Sequence, residues 1–508
     1  MFNFLKSNKP SGLISKIKLS DFEGGLNLKK DENLLPIKYA FTTYNFSHDN
    51  GALTKGLGIA DFASTLYGQG DVSEDAEVAL SNIGSIIGSF HAKKYDFDNS
   101  KRTDKLMFMS ADKVLHYLPI DKEEIDPNTS GVETIPNLIF SEKPVAINYR
   151  LNGQDCTIFS SASDPMIVWG LTDSIIKVAD APHISSMALH YERLFATVDG
   201  EQSSIWFSDD LDPTNWSVSL TEAGFIEMLD ERGALKKVIS FNDYVYIFRD
   251  YGITRLSAYA DQTTFSVAQL FIASGKIYPN TVVLCGDVVL FLASDGLYRF
   301  DGLNCTKIMT NIENGFIGKN NASAVAGYFE NKYYLACNFA FFDDSFENEE
   351  DATNNCLIEI NLDTMQAIFL RGADIIDINT VLCDNFNGVV VCAKKFGETS
   401  YKLGVIDHSG KIFGSTTHKV WITPQTDLGY PQRRKCVRNF FITSKTDMNI
   451  VVKDEENNET IIFVSGSAKP STISTRIFGT KFSFEFSCDE DECNISNPNI
   501  LIKMDNRF

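Results

Sequence analysis

A polar turn, an apolar strand and a second polar turn recur along this chain. Asn242-Asp243-Tyr244-Val245-Tyr246-Ile247-Phe248-Arg249-Asp250-Tyr251-Gly252 is followed by Gly286-Asp287-Val288-Val289-Leu290-Phe291-Leu292-Ala293-Ser294-Asp295-Gly296, then by Glu330-Asn331-Lys332-Tyr333-Tyr334-Leu335-Ala336. Asp243, Asp287 and Asn331 stand 44 residues apart. Short strands returning at a fixed period of this size mark a repeat architecture. Weaker copies centre on Asp104, Asp155, Glu192 and Asn387. The steps of about 37 to 56 residues fit one four-stranded propeller blade.

Each copy carries a second strand after a short gap: residues 113–117, 166–169, 204–207, 253–256, 297–300, 357–360 and 402–406. Several alternate apolar with polar, as half-buried strands do. Asp295-Gly296 and Asp301-Gly302 bracket one of them with hairpin turn chemistry. A single blade cannot bury both its faces, whereas a ring of blades buries a continuous core and leaves only short edges. The pattern predicts an all-β fold with a roughly seven-bladed β-propeller over residues 36–415. The competing reading is a series of β-sandwich strands whose spacing is accidental.

Two regions flank the repeat. Residues 1–35 are polar and lysine-rich and read as an N-terminal arm or leading strand. Near Trp421 the pattern changes, and strands at 439–443, 449–453, 460–464, 481–486 and 499–503 have sandwich spacing. Residues 416–508 therefore read as a separate C-terminal β-sandwich. Within the propeller region, residues 72–80 predict a short helix capped by Ser73 with acids in its first turn. Residues 341–355 are acidic without apolar periodicity and read as a long exposed loop between strands of one blade.

Composition narrows the picture. The chain has 508 residues, 44% of them hydrophobic, enough for a large packed core. No apolar run of about 18 residues is present, so no membrane span is expected. The start, Met1-Phe2-Asn3-Phe4-Leu5-Lys6, continues into polar residues and not into an apolar signal core, so no secretory signal is expected. Ten cysteines are scattered without a Cys-x-x-Cys, mostly inside apolar strands as at Cys285, Cys337 and Cys392. They read as buried, reduced thiols of a protein made in the cytosol. Cys488 and Cys493 bracket Asp-Glu-Asp-Glu, which reads as a solvated acidic turn; pairing of the two thiols, or a share in holding a cation, is the alternative.

The net charge of −21 argues against gripping nucleic acid through its phosphates, which requires Lys and Arg to replace counterions. Such acidity serves solubility. In a protein lining a DNA conduit it would also repel phosphate and let DNA slide.

Few residues suggest chemistry. Ser208 to Trp216 has the form of an Asp-box turn, a structural hairpin in which Asp accepts backbone donors and Trp packs between blades. A propeller glycosidase would need converging arginines to clamp a substrate carboxylate, and Arg150, Arg193, Arg249, Arg255 and Arg299 are the candidates. Arg255 and Arg299 sit in alternating strands and are expected to face solvent or a neighbour. His183 and His190 are seven apart, a spacing that does not aim both at one ion. No phosphate loop, nucleophile elbow or dinucleotide turn is present. No catalytic, cofactor-binding or metal-ligating residue is therefore assigned, no cofactor is expected, and the protein reads as a non-enzyme. Arg433-Arg434-Lys435, a basic cluster on an acidic chain, reads as a surface ion-pair partner at a subunit contact.

Three stretches together resemble the structural proteins of tailed bacteriophages. Phe22-Glu23-Gly24-Gly25-Leu26-Asn27, with Tyr44-Asn45-Phe46, Asp49-Asn50-Gly51-Ala52-Leu53 and Gly56-Leu57-Gly58, is similar to their opening arm. Ile205-Trp206-Phe207-Ser208, Asp212 to Trp216 and Phe241 to Phe248 resemble tail hub or nozzle propellers. Trp421 to Arg438, with Asp427 and Arg433-Arg434-Lys435, resembles the lead-in to their terminal sandwich. The resemblance implies a virion protein of the tail or neck, assembled in the host cytoplasm. It would form a symmetric ring with itself, contact portal, adaptor or other tail proteins, extend the DNA channel and retain packaged DNA without sequence-specific binding. A host-receptor or glycan-binding propeller at the tail tip is the alternative, and a propeller glycosidase a third reading.

Overall fold

The computed structural model describes residues 13–29, 35–48, 51–68, 70–96, 100–120, 131–170, 175–219, 221–259, 261–343 and 346–504. In it the recurring phrase is a hairpin. Asn242 and Asp243 (φ 46° and 62°), Glu330 and Asn331 (46° and 60°), and Asn152 and Gly153 (51° and 80°) each join two strands through a two-residue turn. A tight hairpin that matches the strand twist needs positive φ at both central residues. Asn, Asp and Gly enter that region at least cost, which is why the phrase opens with them.

The chain forms seven successive sheets, antiparallel apart from one parallel bridge in the last, Ile412 to Ile59. Sheet I comprises Ile86–Ala92, Lys105–Ser110, Val114–Pro119 and Glu133–Ile139. Sheet II comprises Val145–Leu151, Gln154–Ser160, Met166–Trp169 and Ile175–Val178. Sheet III comprises Ile184–His190, Arg193–Val198, Ser204–Phe207 and Gly224–Glu227. Sheet IV comprises Leu235–Phe241, Tyr244–Arg249, Gly252–Ser257 and Ser266–Ile272. Sheet V comprises Val283–Cys285, Val288–Ala293, Gly296–Phe300 and Cys305–Ile308. Sheet VI comprises Val325–Phe329, Lys332–Cys337, Cys356–Asn361 and Gln366–Arg371. Sheet VII has Ala373–Leu382, Asn387–Lys395 and Lys402–Asp407, its fourth strand is Gly58–Asp61, from far upstream, and the short strands Lys411–Ile412 and Ser415–Thr416 extend it.

Packing explains the continuous apolar runs. Tyr333 and Leu335 face the core shared with Leu290 and Leu292 of sheet V. Their neighbours Tyr334 and Ala336 face the core shared with Ile375 and Val391 of sheet VII. A strand buried on both faces has no position left for polar residues. The same holds from sheet to sheet: Met107 with Trp169, Ile158 with Leu194, Phe207 with Ile247, and Phe248 with Phe291. Sheet VII returns to sheet I, where Val390 and Cys392 pack with Leu106 and Phe108. The first strands also touch, Ile184–His190 against Leu235–Phe241 and Ala373–Leu382 against Ile86–Ala92. The fold is propeller-like and all-β.

Two further sheets follow, and the C-terminal residues do not make them alone. Sheet VIII orders Thr42–Tyr44, Lys419–Ile422, Phe482–Cys488, Met448–Asp454 and Glu459–Val464. Sheet IX orders Phe46–Ser47, Ala52–Lys55, Asn494–Met504, Lys435–Ser444 and Ser467–Gly479, with Ile14–Lys18 also paired to Asn494–Met504. The described part of the expected arm is thus an integral strand and linker. One hydrophobic core takes in Phe22, Trp421, Phe440, Phe484 and Ile500 together with Leu290 and Tyr333 of sheets V and VI. Phe22 is fully buried and edge-on to Trp421 and Phe486, with ring centres 5.3 and 5.7 Å away. Burying such a ring is worth ~2–3 kcal/mol, and aromatic pairing adds ~1 kcal/mol.

Local expectations need adjustment. Helix α1 spans Phe62–Tyr67, capped by Asp61, whose side chain accepts from Ser64 N. Helix α2 spans Asp71–Ile83 and starts at Gly70, so Ser73 is a buried residue inside the first turn and not the cap. Acids do occupy that turn, at Asp71 and Glu74. Residues 1–12 and 30–34 of the expected arm, and Asp49 and Asn50, lie outside the described residues.

The seventh sheet depends on a glycine. A Cβ on Gly404 would lie 2.4 Å from Ile59 Cγ2 of the closing strand. Gly404→Val is expected to lower stability by about 1–3 kcal/mol, read as a lower urea midpoint, with new protease cleavage at residues 56–68. An unchanged midpoint would show that the closing strand carries no such constraint.

Candidate functional site

A cleft of about 700 Å³ opens between sheet VIII and the loop joining the second and third strands of sheet VI. Sheet VIII supplies Tyr44, Val420, Ile422, Lys453, Ser483 and Glu485, and the loop supplies Phe342, Asp343, Phe346 and Glu347. Rings and carboxylates therefore share one wall.

Arg371, at the end of sheet VI, holds the loop in place. Its Nη1 donates to both carboxylate oxygens of Asp343 at 2.9 and 3.0 Å, and its Nη2 to Glu349 at 2.5 Å. The guanidinium lies over the rings of Phe341, Tyr44 and Phe346, 4.6 to 5.0 Å from their centres. Burial opposes the charge on Arg371, but Glu349 and Asp343 more than offset it and hold the guanidinium above its usual range. Burial also pushes the Tyr44 hydroxyl far up, reinforced by Asp343, so it stays protonated. The loop is anchored at its far end too, where Asn354 Nδ2 donates to Ile375 O at 2.7 Å and Asp374 accepts from Asn354 N at 2.9 Å. This loop is exposed along most of its described length and joins two strands of one sheet, as expected, and it is also pinned at both ends. The signal lay in Phe339-Ala340-Phe341-Phe342-Asp343, because a solvated loop has no use for three phenylalanines. Nothing in the spacing pointed to Arg371 or Glu485.

Asn45 sits behind the cleft, in the left-handed region (φ 61°) and fully buried. Its Nδ2 donates to Arg371 O at 3.0 Å and His418 O at 2.7 Å, and its Oδ1 accepts from Arg371 N at 2.8 Å. Its own N–H donates to Phe369 O at 2.7 Å. One side chain thus joins the N-terminal segment, sheet VI and the lead-in to sheet VIII.

Four of the five candidate arginines are held locally. Arg150 pairs with Asp155 across adjacent strands at 2.8 Å. Arg193 is buried on Glu222 and on Ser208 O. Arg249 is buried on Asp230 at 2.8 Å and on the carbonyls of Met228 and Gly233. Arg255 stacks on Tyr244 at 4.4 Å, and Arg299 is exposed. The first four serve local contacts and the fifth is exposed, so the five are not brought together as a carboxylate clamp.

His190 is buried and Nδ1 meets Ser240 Oγ at 2.9 Å, while exposed His183 meets Ala162 O. The two do not share a site, and burial pulls His190 below its usual range. Among the described residues no group of three or more His, Cys, Asp or Glu could hold a metal ion.

The Asp-box stretch is a structural turn. Asp209 Oδ1 accepts from Asp210 N and Glu222 N, Asp212 Oδ1 from Thr214 N, and Trp216 packs in the core between sheets II and III.

All ten cysteines are unpaired and all but Cys305 are buried. The acidic turn between Cys488 and Cys493 is exposed, as expected, and the two thiols lie buried beneath it. The contact between the two thiols draws Cys488 below the usual thiol range, while that same contact and burial push Cys493 up. Lys435 departs from the surface role expected of its basic triplet: it is fully buried, and its Nζ donates to Arg433 O at 2.8 Å and Thr480 O at 2.5 Å.

No protein-family model matches the chain, and no curated protein matches it. Among solved structures, Hsv2 from Kluyveromyces lactis is similar at 10% identity and a TM-score of 0.34, over 57% of this chain and 98% of that one. Apo AztD from Citrobacter koseri is similar at 10% identity and a TM-score of 0.29, over 53% and 69%.

Glu485 in the cleft wall yields a pH prediction. Burial raises its pKa above the usual 4.5, with Lys453 offsetting part of the effect. A raised carboxyl favours the folded state when protonated; that contribution is complete below the usual value and lost as pH rises through the raised one. Glu485→Gln is therefore expected to raise the melting temperature at pH 8 by roughly 1 °C and to leave it unchanged at pH 4. Scanning calorimetry at the two pH values checks this, and a loss of stability at pH 8 would contradict it.

Proposed function

We propose that the protein is a structural component of a tailed-phage virion, a seven-bladed propeller with its N-terminal segment and a C-terminal β-sandwich as flanking parts. It forms part of the tail hub, nozzle or portal-proximal ring, extends the DNA channel and retains packaged DNA. No catalytic step is assigned to it. The observation that carries this reading is that the opening and lead-in stretches that resemble phage tail proteins supply residues that knit the parts together. Phe22 fills the joint core, and Asn45 bonds to the chain at Phe369, Arg371 and His418. Such a rigid joint suits a part that must bear load within an assembly. The charge of −21 suits a wall past which DNA slides. Closed rings are the default for such subunits.

A host-receptor or glycan-binding role at the tail tip is the second reading, favoured by the cleft in which Phe342 and Phe346 stand beside Asp343 and Glu347. Aromatic faces with carboxylate acceptors suit sugar rings and their hydroxyls.

Peptide mass spectrometry of purified particles is expected to find this chain in fixed stoichiometry. Mass photometry of the recombinant protein, alone or mixed with portal-proximal partners, is expected to find discrete closed rings. Absence from particles would overturn the proposal. Binding to host cells lost in Phe342→Ala would favour the second reading.

A further inference from the structure

Sheet IX has a charge pattern opposite to that of the chain. The protein has 67 Asp and Glu against 46 Lys and Arg, yet none of the six strands of this sheet contains an acid. One face packs into the core through Val437, Phe440, Ile500 and Ile502. On the other, Cys436, Lys503 and Phe478 share one line of the register. Burial raises the Cys436 thiol, and the nearby charges of Arg438, Arg476 and Lys503 pull it back. The guanidinium groups of Arg434 and Arg476 lie over the Phe478 ring at 5.6 and 5.7 Å, and Lys16 Nζ lies 4.8 Å from the Phe441 ring centre. Among the described residues, none of these five cations has a carboxylate within ion-pair distance, and Arg438 Nε is buried without an acceptor. Cations gathered without counter-charges present a field that an anionic surface relieves.

The chain carries a matching surface. On α2, Asp71, Glu74, Asp75 and Val78 follow i, i+3, i+4, i+7 spacing and form one exposed face, while Ser73, Ala76 and Leu80 are buried opposite. None of Asp71, Glu74, Asp75 or the adjacent Glu77 has an ion-pair partner among the described residues, and Val78 is 59% exposed. Helix α2 packs in the core of sheets I and VII, whereas sheet IX packs on sheets V and VI. Two complementary surfaces at different places on one molecule make a heterologous contact, which closes into rings when the rotation allows.

We propose that the basic face of sheet IX docks on the acidic face of α2 of a second copy of this chain. This rests on the ring reading above and names the surfaces that build the ring. A nucleic acid fits less well. The rings of Phe478 and Phe441 already hold cations instead of offering a bare face to a base, and the −21 charge repels a polyanion. Arginine beside phenylalanine is the composition of protein interfaces.

Two variants test the contact: Arg434→Glu with Arg476→Glu, and Glu74→Lys with Asp75→Lys, all at exposed side chains so that melting temperatures stay near wild type. In mass photometry each variant alone is expected to associate at least about tenfold more weakly than wild type. Their equimolar mixture is expected to regain association, because each reversed surface then meets its complement. Rings that persist unchanged in both variants would overturn this contact while leaving the ring reading intact. A wild-type protein that stays monomeric, alone and with portal-proximal partners, would sink the ring reading and this contact with it. Salt-sensitive binding of a DNA duplex by wild type, lost in the Arg434→Glu and Arg476→Glu variant, would assign the face to nucleic acid and overturn the proposal.

Discussion

The buried amide of Asn45 is the tie on which the arrangement of the parts depends. It spends every side-chain donor and acceptor it has on backbone groups from two distant stretches of chain. A buried polar group left without partners costs ~1–3 kcal/mol, so the three segments are coupled through one residue. Immediately downstream, Ala52–Lys55 joins sheet IX and Gly58–Asp61 joins sheet VII. The ten residues from Ala52 to Asp61 therefore thread the sandwich-like sheets to the propeller-like ones.

The consequence for function is mechanical. The seven repeat sheets share cores with their neighbours in sequence, the last meeting the first, so no sheet tilts without disturbing two interfaces. Sheets VIII and IX share the core of sheets V and VI, which fixes their orientation. Arg371 belongs to the same system: its backbone N–H meets Asn45, and its guanidinium pins the acidic loop that walls the cleft. Cleft, joint and repeat are therefore one mechanical unit.

What was legible in the sequence was the middle of each sheet. The second strands, such as Tyr244–Arg249 and Val288–Ala293, were readable because both faces are buried and their residues are nearly all apolar, and the third, such as Gly252–Ser257, because each follows the second after a short turn. The outer strands were not. Ile175–Val178 and Ser266–Ile272 alternate between exposed and half-buried positions, which dilutes the apolar signal. Ser467–Gly479, thirteen residues rich in Ser and Thr on an exposed face, escaped for the same reason. Strand Gly58–Asp61 was beyond local reading, because its partner lies more than 340 residues away. The Asp209 turn was legible because its hydrogen bonds are local. The Arg371 cluster was not, because it depends on which loops the fold brings together.

The most direct measurement of the central claim is a cryo-electron microscopy reconstruction of the intact particle with this chain fitted into the density. The account predicts several copies around the tail axis, in a closed ring, each with sheets I–VII and sheets VIII and IX held in the relative orientation described. Density that holds the chain as isolated monomers on the particle surface, or with sheets VIII and IX turned away from sheets V and VI, would contradict it.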